Sequence, residues 1–406
     1  MFEVKSEVKE NVEINKEDYT NKRKVYIIIL NYNNWADTIE CLESVLRNDY
    51  PNYQVIVVDN NSPNNSMDYI KAWAEGKIDV WVDPKNPLRR LSFPPVPKPI
   101  PYVYYTKEEA EKGGNKDLEK DLSERITTGI TTKYPLIFIQ TGENLGFTGG
   151  NNVGIRYALA KDDFSYIWIL NNDTVIEKDT LEEMVKVIEK SSSIGGVGSL
   201  LLFYHDPEII QCLCGTTPFS PKKAMRLKHL FGNYKLWELY DKLSDNFELN
   251  GGLLQGASML FRKETIERCG LFDESLFMMF DEYELCIRIT ISGWILYCAS
   301  KSKVYHKEGG SRGNIKRRKK LLWFTRNRYS FETYIFTVYL YFRNMIYSIH
   351  KHYGLSGVIT FFMFNLPVFF RVVLGIILFD DQKVKRLKLF FKAIRDGLRG
   401  NLGRPW

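Results

Sequence analysis

The sequence predicts an α/β fold, a mixed sheet wrapped by helices, followed by a helical C-terminal segment. Three stretches carry that reading. Tyr166–Ile176 reads Y-I-W-I-L-N-N-D-T-V-I, an apolar run that turns abruptly polar at Asn171, Asn172 and Asp173. A buried parallel strand has this form, continuously apolar and then polar where it leaves the sheet. Residues 25–59 repeat the theme as strand, helix and strand, with polar residues at both carboxyl ends. Leu355–Phe379 is almost wholly apolar and is flanked by basic residues.

The elements follow in order. Residues 1–23 are polar and sign-balanced, which predicts a loosely ordered start without a signal peptide. Val25–Leu30 is the first strand and ends at Asn31-Tyr32-Asn33-Asn34. Asp37 with Glu40 marks a helix start, and Ile39, Leu42, Val45 and Leu46 give that helix its buried stripe. Gln54–Val58 is the second strand, with Asp59 at its carboxyl end before an Asn-rich turn. Strand ends of this kind are where open α/β sheets bind ligands. Between residues 83 and 134, seven prolines from Pro84 to Pro101 and the charged run Lys107–Glu124 predict an insertion. The expected form is an extended surface arm plus one short polar helix. Leu136–Gln140 resumes the sheet.

Thr141–Tyr157 holds glycines at 142, 146, 149, 150 and 154, so its backbone N–H groups are exposed at a helix start, good geometry for phosphate. It is neither a dinucleotide fingerprint nor a Walker loop, and ordinary glycine turns are commoner than phosphate sites. Asp173 likewise fits a polar β-turn as well as a ligand site. Thr180 and Glu183 predict a capping box, Ile194–Tyr204 a strand, Gly256–Arg262 another, and Lys263–Cys269 a short helix. Residues 205–250 read as irregular, with Trp237 and Tyr240 near a cleft. In Leu276–Ile291, three acids, Asp281, Glu282 and Glu284, follow an apolar run and open a helix. Acids in a first turn also simply complement the helix dipole. Ile295–Cys298 and Lys303–Tyr305 read as short strands, the second ending at His306.

The 406 residues suffice for one large domain with an appendage, and 44% hydrophobic content is globular. The six cysteines contain no Cys-x-x-Cys pair, which argues against zinc and for reduced core thiols in a cytosolic protein.

Six stretches together resemble glycosyltransferase family 2, the inverting GT-A enzymes, and most of all its rhamnosyltransferase-like branch. They are I-I-I-L-N-Y-N-N-W with V-I-V-V-D-N-N-S, N-L-G-F-T-G-G-N-N-V-G-I, W-I-L-N-N-D-T, G-A-S-M-L-F-R, F-M-M-F-D-E-Y-E-L-C-I-R and V-Y-H-K-E-G-G-S. In family order, they cover residues 25–312 apart from the insertion. The resemblance implies a GT-A, Rossmann-like nucleotide-sugar-binding mixed sheet over residues 24–311. It also implies roles: Asp59 on the nucleobase edge with Asn31 and Tyr32 beside it, and Asn144, Gly146, Gly150 and Asn151 lining the sugar-diphosphate pocket. Asn171 takes the first position of the family's Asp-x-Asp metal motif, leaving Asp173 as its carboxylate, with His306 completing the shell around Mg²⁺ or Mn²⁺. The base would come from Asp281 or Glu282; register favours Glu282 and side-chain identity Asp281. Glu282 is the choice made here.

Inverting transfer suits these residue types, since one carboxylate suffices as general base and a divalent cation neutralises the leaving diphosphate. The expected donor is a nucleotide sugar, with dTDP-rhamnose the family-level guess. The expected acceptor is a glycan or lipid-linked chain. Two other classes compete. A sugar-nucleotide pyrophosphorylase would need a Gly-rich, Arg-containing loop straight after the first strand, where this chain has Asn-Tyr-Asn-Asn-Trp. A basic nucleic-acid-binding module would rest on residues 312–328, which carry eight basic residues and no acid, but no nucleic-acid motif accompanies them. No nucleic-acid partner is predicted; oligomeric state is left open.

Residues 312–406 predict a basic, aromatic and apolar helical region. A 25-residue helix at Leu355–Phe379 would reach roughly 37 Å, enough to cross a bilayer. Asn365, Pro367 and Arg371 near its middle favour an interfacial or re-entrant pair instead. Its basic flanks suit the anionic cytoplasmic face of the cell membrane. A subdomain packed on the catalytic core is the alternative.

Overall fold

The structure, a computed structural model, describes residues 22–126, 130–213, 247–248, 253–308, 316–321, 324–328 and 331–405. The expectations for residues 1–21, for Trp237 and Tyr240, and for Arg312 lie outside the described residues.

The central sheet is built on β1 (Val25–Asn31), flanked by the parallel strands β2 (Tyr53–Asp59) and β5 (Tyr166–Asn171). Their side chains are buried along nearly the whole length, which is why these runs are continuously apolar. Beyond β2 lie β4 (Leu136–Gln140) and then β3 (Tyr102–Thr106), both parallel. On the other side, β10 (Ser258–Arg262) runs antiparallel between β5 and β7 (Ile194–Phe203). The sheet continues through β11 (Ile295–His306), parallel to β7, to β6 (Thr174–Ile176), antiparallel to β11. β8 (Asp206–Leu213) pairs with β7, and β9 (Phe247–Glu248) with β11. The mixed sheet and the C-terminal helical segment are those the sequence predicts.

Helices α1 (Trp35–Val45), α2 (Ser66–Ala74), α5 (Gly146–Lys161) and α6 (Thr180–Ile188) pack on the sheet, with α3 (Lys107–Glu111) and α4 (Lys116–Ser123) against its edge. Two apolar clusters result, one on each face: Ile28, Ile56, Ile137 and Ile169 point to one, and Ile27, Val55, Val57 and Trp168 to the other. This is the alternation a strand imposes.

Several expectations are corrected. Residues 83–134 form no surface arm. Leu88, Leu91, Val96, Ile100 and Val103 are buried, and β3 is the edge strand of the main sheet. Glu43, fully buried on α1, ties this region down by accepting from Val96 N, Lys98 Nζ and Trp73 Nε1. The helix at 180–188 has Asp179 as its N-cap, with no side-chain capping bond; Thr180 Oγ1 instead donates to Lys303 O. The two strands expected at 295–305 are one, interrupted by a register shift between Ala299 and Lys303. Asp206–Leu213, expected to be irregular, is a strand.

Between β10 and β11 lie α7 (Lys263–Cys269) and α8 (Asp281–Ile291). The basic run is not helical: β12 (Lys316–Leu321) and β13 (Phe324–Arg328) pair as an antiparallel hairpin. Then come α9 (Tyr341–Phe379), broken at Gly354 (φ 64°, ψ −168°) and carrying Pro367, and α10 (Lys383–Arg399), which packs back on α9. Among the described residues no single helix is long and apolar enough to cross a membrane; Val338–Pro367 and Phe369–Phe379 do so only as a pair bent by 50°.

Candidate active site

The parallel register aligns Asn31 with Asp59 and Asp59 with Gln140, while Leu30 aligns with Asn171, so the polar residues ending β1, β2, β4 and β5 share one edge. Asp59 is buried there. Its Oδ1 accepts from Asn31 Nδ2 at 2.6 Å and Ser62 Oγ at 2.6 Å, and its Oδ2 from Ser62 N at 3.1 Å. Asn31 is itself buried and its Oδ1 accepts from Thr38 Oγ1 at 2.9 Å. Asn31 therefore orients Asp59 from below, whereas Tyr32 is exposed beside it.

The glycine loop is shaped by a residue the sequence reading passed over. Asn60 Nδ2 donates to Asn144 Oδ1 at 3.1 Å and to Gly146 O at 2.9 Å, and Asn60 Oδ1 accepts from Leu145 N at 3.0 Å. Asn144 Oδ1 also accepts from Gly146 N at 3.0 Å. Gly146 has φ +72°, and a Cβ there would lie 2.2 Å from Phe277 O, so only glycine fits. Gly150 does not line an open pocket: a Cβ there would sit 2.5 Å from Leu30 Cδ1, and its absence lets α5 press onto β1. Asn151 is buried too, with Nδ2 on Phe147 O at 2.9 Å and an Oδ1 that has no hydrogen-bond partner among the described residues.

Asp173 follows β5, and the β6–β11 pairing, with His306 opposite Thr174, brings His306 to it. His306 Nε2 lies 3.2 Å from Asp173 Oδ1. The other ring nitrogen, Nδ1, is 3.1 Å from Gln211 Oε1, and Gln211 Nε2 donates to Glu308 Oε1. The Gln211 amide is thus oriented with its oxygen towards the ring. No group of three or more His, Cys, Asp or Glu able to hold a metal occurs among the described residues. Asp173 and His306 could supply two of the ligands of a hard divalent ion. Lys307, next in the chain, donates to Asp37 and Glu40 and so pins the end of β11 to α1.

Asp281 and Glu282 open α8 where the chain leaves the irregular turn Phe277–Phe280. Asp281 is buried, and its Oδ2 has no hydrogen-bond partner among the described residues. Burial, then the Glu282 carboxylate, raises its carboxyl well above the usual range. Glu282 is half-buried, and burial pushes it up to about 7. Its carboxyl faces Gly256: a Cβ there would lie 3.7 Å from Glu282 Cδ. Ala257, the next residue, accepts from Asn171 N at 3.0 Å, which links Glu282 to the edge where Asn171 ends β5. Glu284 points elsewhere. Fully buried, it accepts from Arg288 Nε at 2.8 Å and faces Lys351 Nζ at 3.0 Å and His352 Nε2 at 2.9 Å on α9.

Polar strand ends and a glycine loop thus share one edge of the α/β sheet, and the Glu282 carboxylate approaches that edge from α8. Residues 26–87 match the profile of Glycosyl transferase family 2, and residues 117–326 that of Glycosyltransferase like family 2. The chain belongs to glycosyltransferase family 2. It is 25% identical over 160 residues (37% of this chain, 45% of the relative) to the low-salt glycan biosynthesis hexosyltransferase Agl10 of Haloferax volcanii. It is 24% identical over 159 residues (38% and 57%) to the rhamnosyltransferase WbbL of Escherichia coli. The chain spans about half the length of these curated relatives. Among solved structures it is similar to the mannosyltransferase PcManGT of Pyrobaculum calidifontis in complex with GDP-Man and Mn²⁺, with a TM-score of 0.46, 13% identity, and coverage of 94% of this chain and 88% of that one.

Proposed function

We propose that this protein transfers a sugar, with inversion, from a nucleotide-sugar donor to a hydroxyl on a glycan or lipid-linked acceptor. Agl10 and WbbL, by their names a hexosyltransferase and a rhamnosyltransferase, support a hexose-type donor. Asp59, held by Asn31 and Ser62, offers fixed acceptor oxygens to the base edge of the nucleotide. The loop braced by Asn60 and Asn144 takes the diphosphate side. Asp173 and His306 would hold Mg²⁺ or Mn²⁺, which when bound neutralises charge on the leaving diphosphate.

Glu282 takes the proton from the acceptor hydroxyl as its oxygen bonds to the anomeric carbon. The bond from that carbon to the diphosphate oxygen breaks on the opposite face, and its electron pair leaves with the nucleotide. A carboxylate at about 7 is matched to this work near neutral pH. That carboxylate at the sheet edge is the observation carrying the reading.

The test is Glu282→Gln, assayed by nucleotide release from dTDP-rhamnose, UDP-glucose and GDP-mannose with Mg²⁺ or Mn²⁺. We expect kcat to fall by about 10²-fold or more with donor affinity retained. The unmutated enzyme should gain activity as pH rises through about 7, where the base loses its proton. A normal rate in Glu282→Gln with collapse in Asp281→Asn moves the base to Asp281.

We also propose that the C-terminal segment lies on the cytoplasmic face of the membrane. Leu355, Ile359, Met363 and Leu366 are exposed at spacings of one helix face, Phe370 is exposed beyond the bend, and Lys383, Lys385 and Lys388 are exposed on α10.

A further inference from the structure

The turn that delivers Asp281 and Glu282 is conformationally costly. Phe277, Met279 and Phe280 all have positive φ (66°, 69° and 67°), a region bulky side chains avoid. Such a backbone persists only where its surroundings over-determine it. On one side it is held by α5: Thr148 N and Oγ1 donate to Phe277 O at 3.2 and 3.3 Å.

The other side is held by α9. Asn344 is fully buried, and its single Nδ2 lies 3.0 Å from Leu276 O, 2.9 Å from Met278 O and 2.7 Å from Met279 O. An amide has two N–H groups, so three carbonyls share them and converge on one point. Arg343 Nε donates to Asn344 Oδ1 at 2.9 Å, which fixes the amide the right way round, and Arg343 Nη2 reaches Leu276 O at 3.3 Å. The carbonyls of the turn are therefore gathered by a side chain 65 to 68 residues away, on a segment whose sequence reads only as aromatic-rich helix.

We infer that Asn344 is a positioning residue for the general base: by gathering the carbonyls of Leu276, Met278 and Met279 it holds the left-handed turn that aims Glu282. The first half of α9 is on this account part of the catalytic unit. The role assigned to Glu282 rests on the proposed function; the clamp itself does not.

Asn344→Ala in the full chain tests this with two readouts. By nucleotide release from whichever panel donor is active, kcat falls about 10- to 100-fold while donor KM stays within about twofold, as for a reacting group misplaced by about 1 Å. By hydrogen exchange, the amides of residues 277–282 exchange about tenfold faster while those of β1 and β5 do not change. In a Glu282→Gln background the same substitution adds less than about twofold, because the group it aims is gone. A normal kcat, a donor KM that rises in step with the loss, exchange quickened equally in β1 and β5, or a full multiplicative loss on top of Glu282→Gln each overturns the inference. If Asn344→Ala yields no folded enzyme, Asn344→Ser, which keeps one donor, is read the same way: intermediate values support the clamp and unmutated values overturn it. An undiminished rate in Glu282→Gln alone removes the base assignment, and the exchange of residues 277–282 then decides the clamp by itself.

Discussion

Glu284→Gln is the sharpest probe of how α9 is fastened to the catalytic helix. The carboxylate has no exposed surface and meets Arg288 from its own helix and Lys351 and His352 from α9. Burial alone would raise its carboxyl, but His352, Arg288 and Lys351 outweigh it and hold the group down at about 2. Against an ordinary value of 4.5, that depression corresponds to about 3 kcal/mol of stability at neutral pH. A depressed carboxyl contributes fully above the unfolded value and loses its contribution as pH falls towards the folded one. The stability gap between the unmutated protein and Glu284→Gln should therefore be about 3 kcal/mol at pH 7, start to close below about pH 4.5, and vanish near about pH 2. Urea unfolding at a series of pH values, followed by circular dichroism, reads it directly. A gap below about 1 kcal/mol at pH 7, or one that does not change between pH 6 and pH 3, would refute the ion cluster as a fastener.

Two further outcomes are expected. Gln211→Leu removes the partner that orients His306, so Mn²⁺ affinity measured by electron paramagnetic resonance in the presence of UDP or dTDP should fall about 10- to 100-fold, and Asp173→Asn should weaken it at least as much; equal affinity in all three proteins removes this pair from the metal site. Met363→Glu with Phe370→Glu places two charges on the exposed apolar face of α9 and should lower flotation with phosphatidylglycerol vesicles by about tenfold or more while donor affinity is kept, whereas unchanged flotation assigns that face to something other than lipid.

The parts of the fold written in burial were legible. β1, β2, β4 and β5 are covered on both faces, so their sequences are apolar apart from Gln54 near the start of β2, and a polar residue marks each carboxyl end. β3 was not, because its burial alternates and it emerges from a proline cluster whose composition reads as extended surface chain. Asp173 and His306 could be paired only through the resemblance; the physical cause of their meeting, the antiparallel β6–β11 register, has no local signature. Asn60 stood in plain view after Asp59, yet nothing about an Asn-rich turn says that its amide braces a loop 84 residues on. Gln211 and Asn344 were beyond reach for the same reason: each acts across a tertiary contact, on a partner chosen by the fold.

Strand β10, antiparallel between β5 and β7, also divides the chain in time. Five neighbouring strands, β3-β4-β2-β1-β5, are all supplied by residues 25–171. During synthesis the half-sheet bearing Asn31, Asp59, Asn144 and Asn171 can close before β10 has left the ribosome. The turn that fills the space over Gly146, the carboxylate it aims and the helix that clamps it arrive only afterwards. On the proposed function, a nascent chain thus assembles its donor-binding half first and acquires the base that deprotonates the acceptor afterwards.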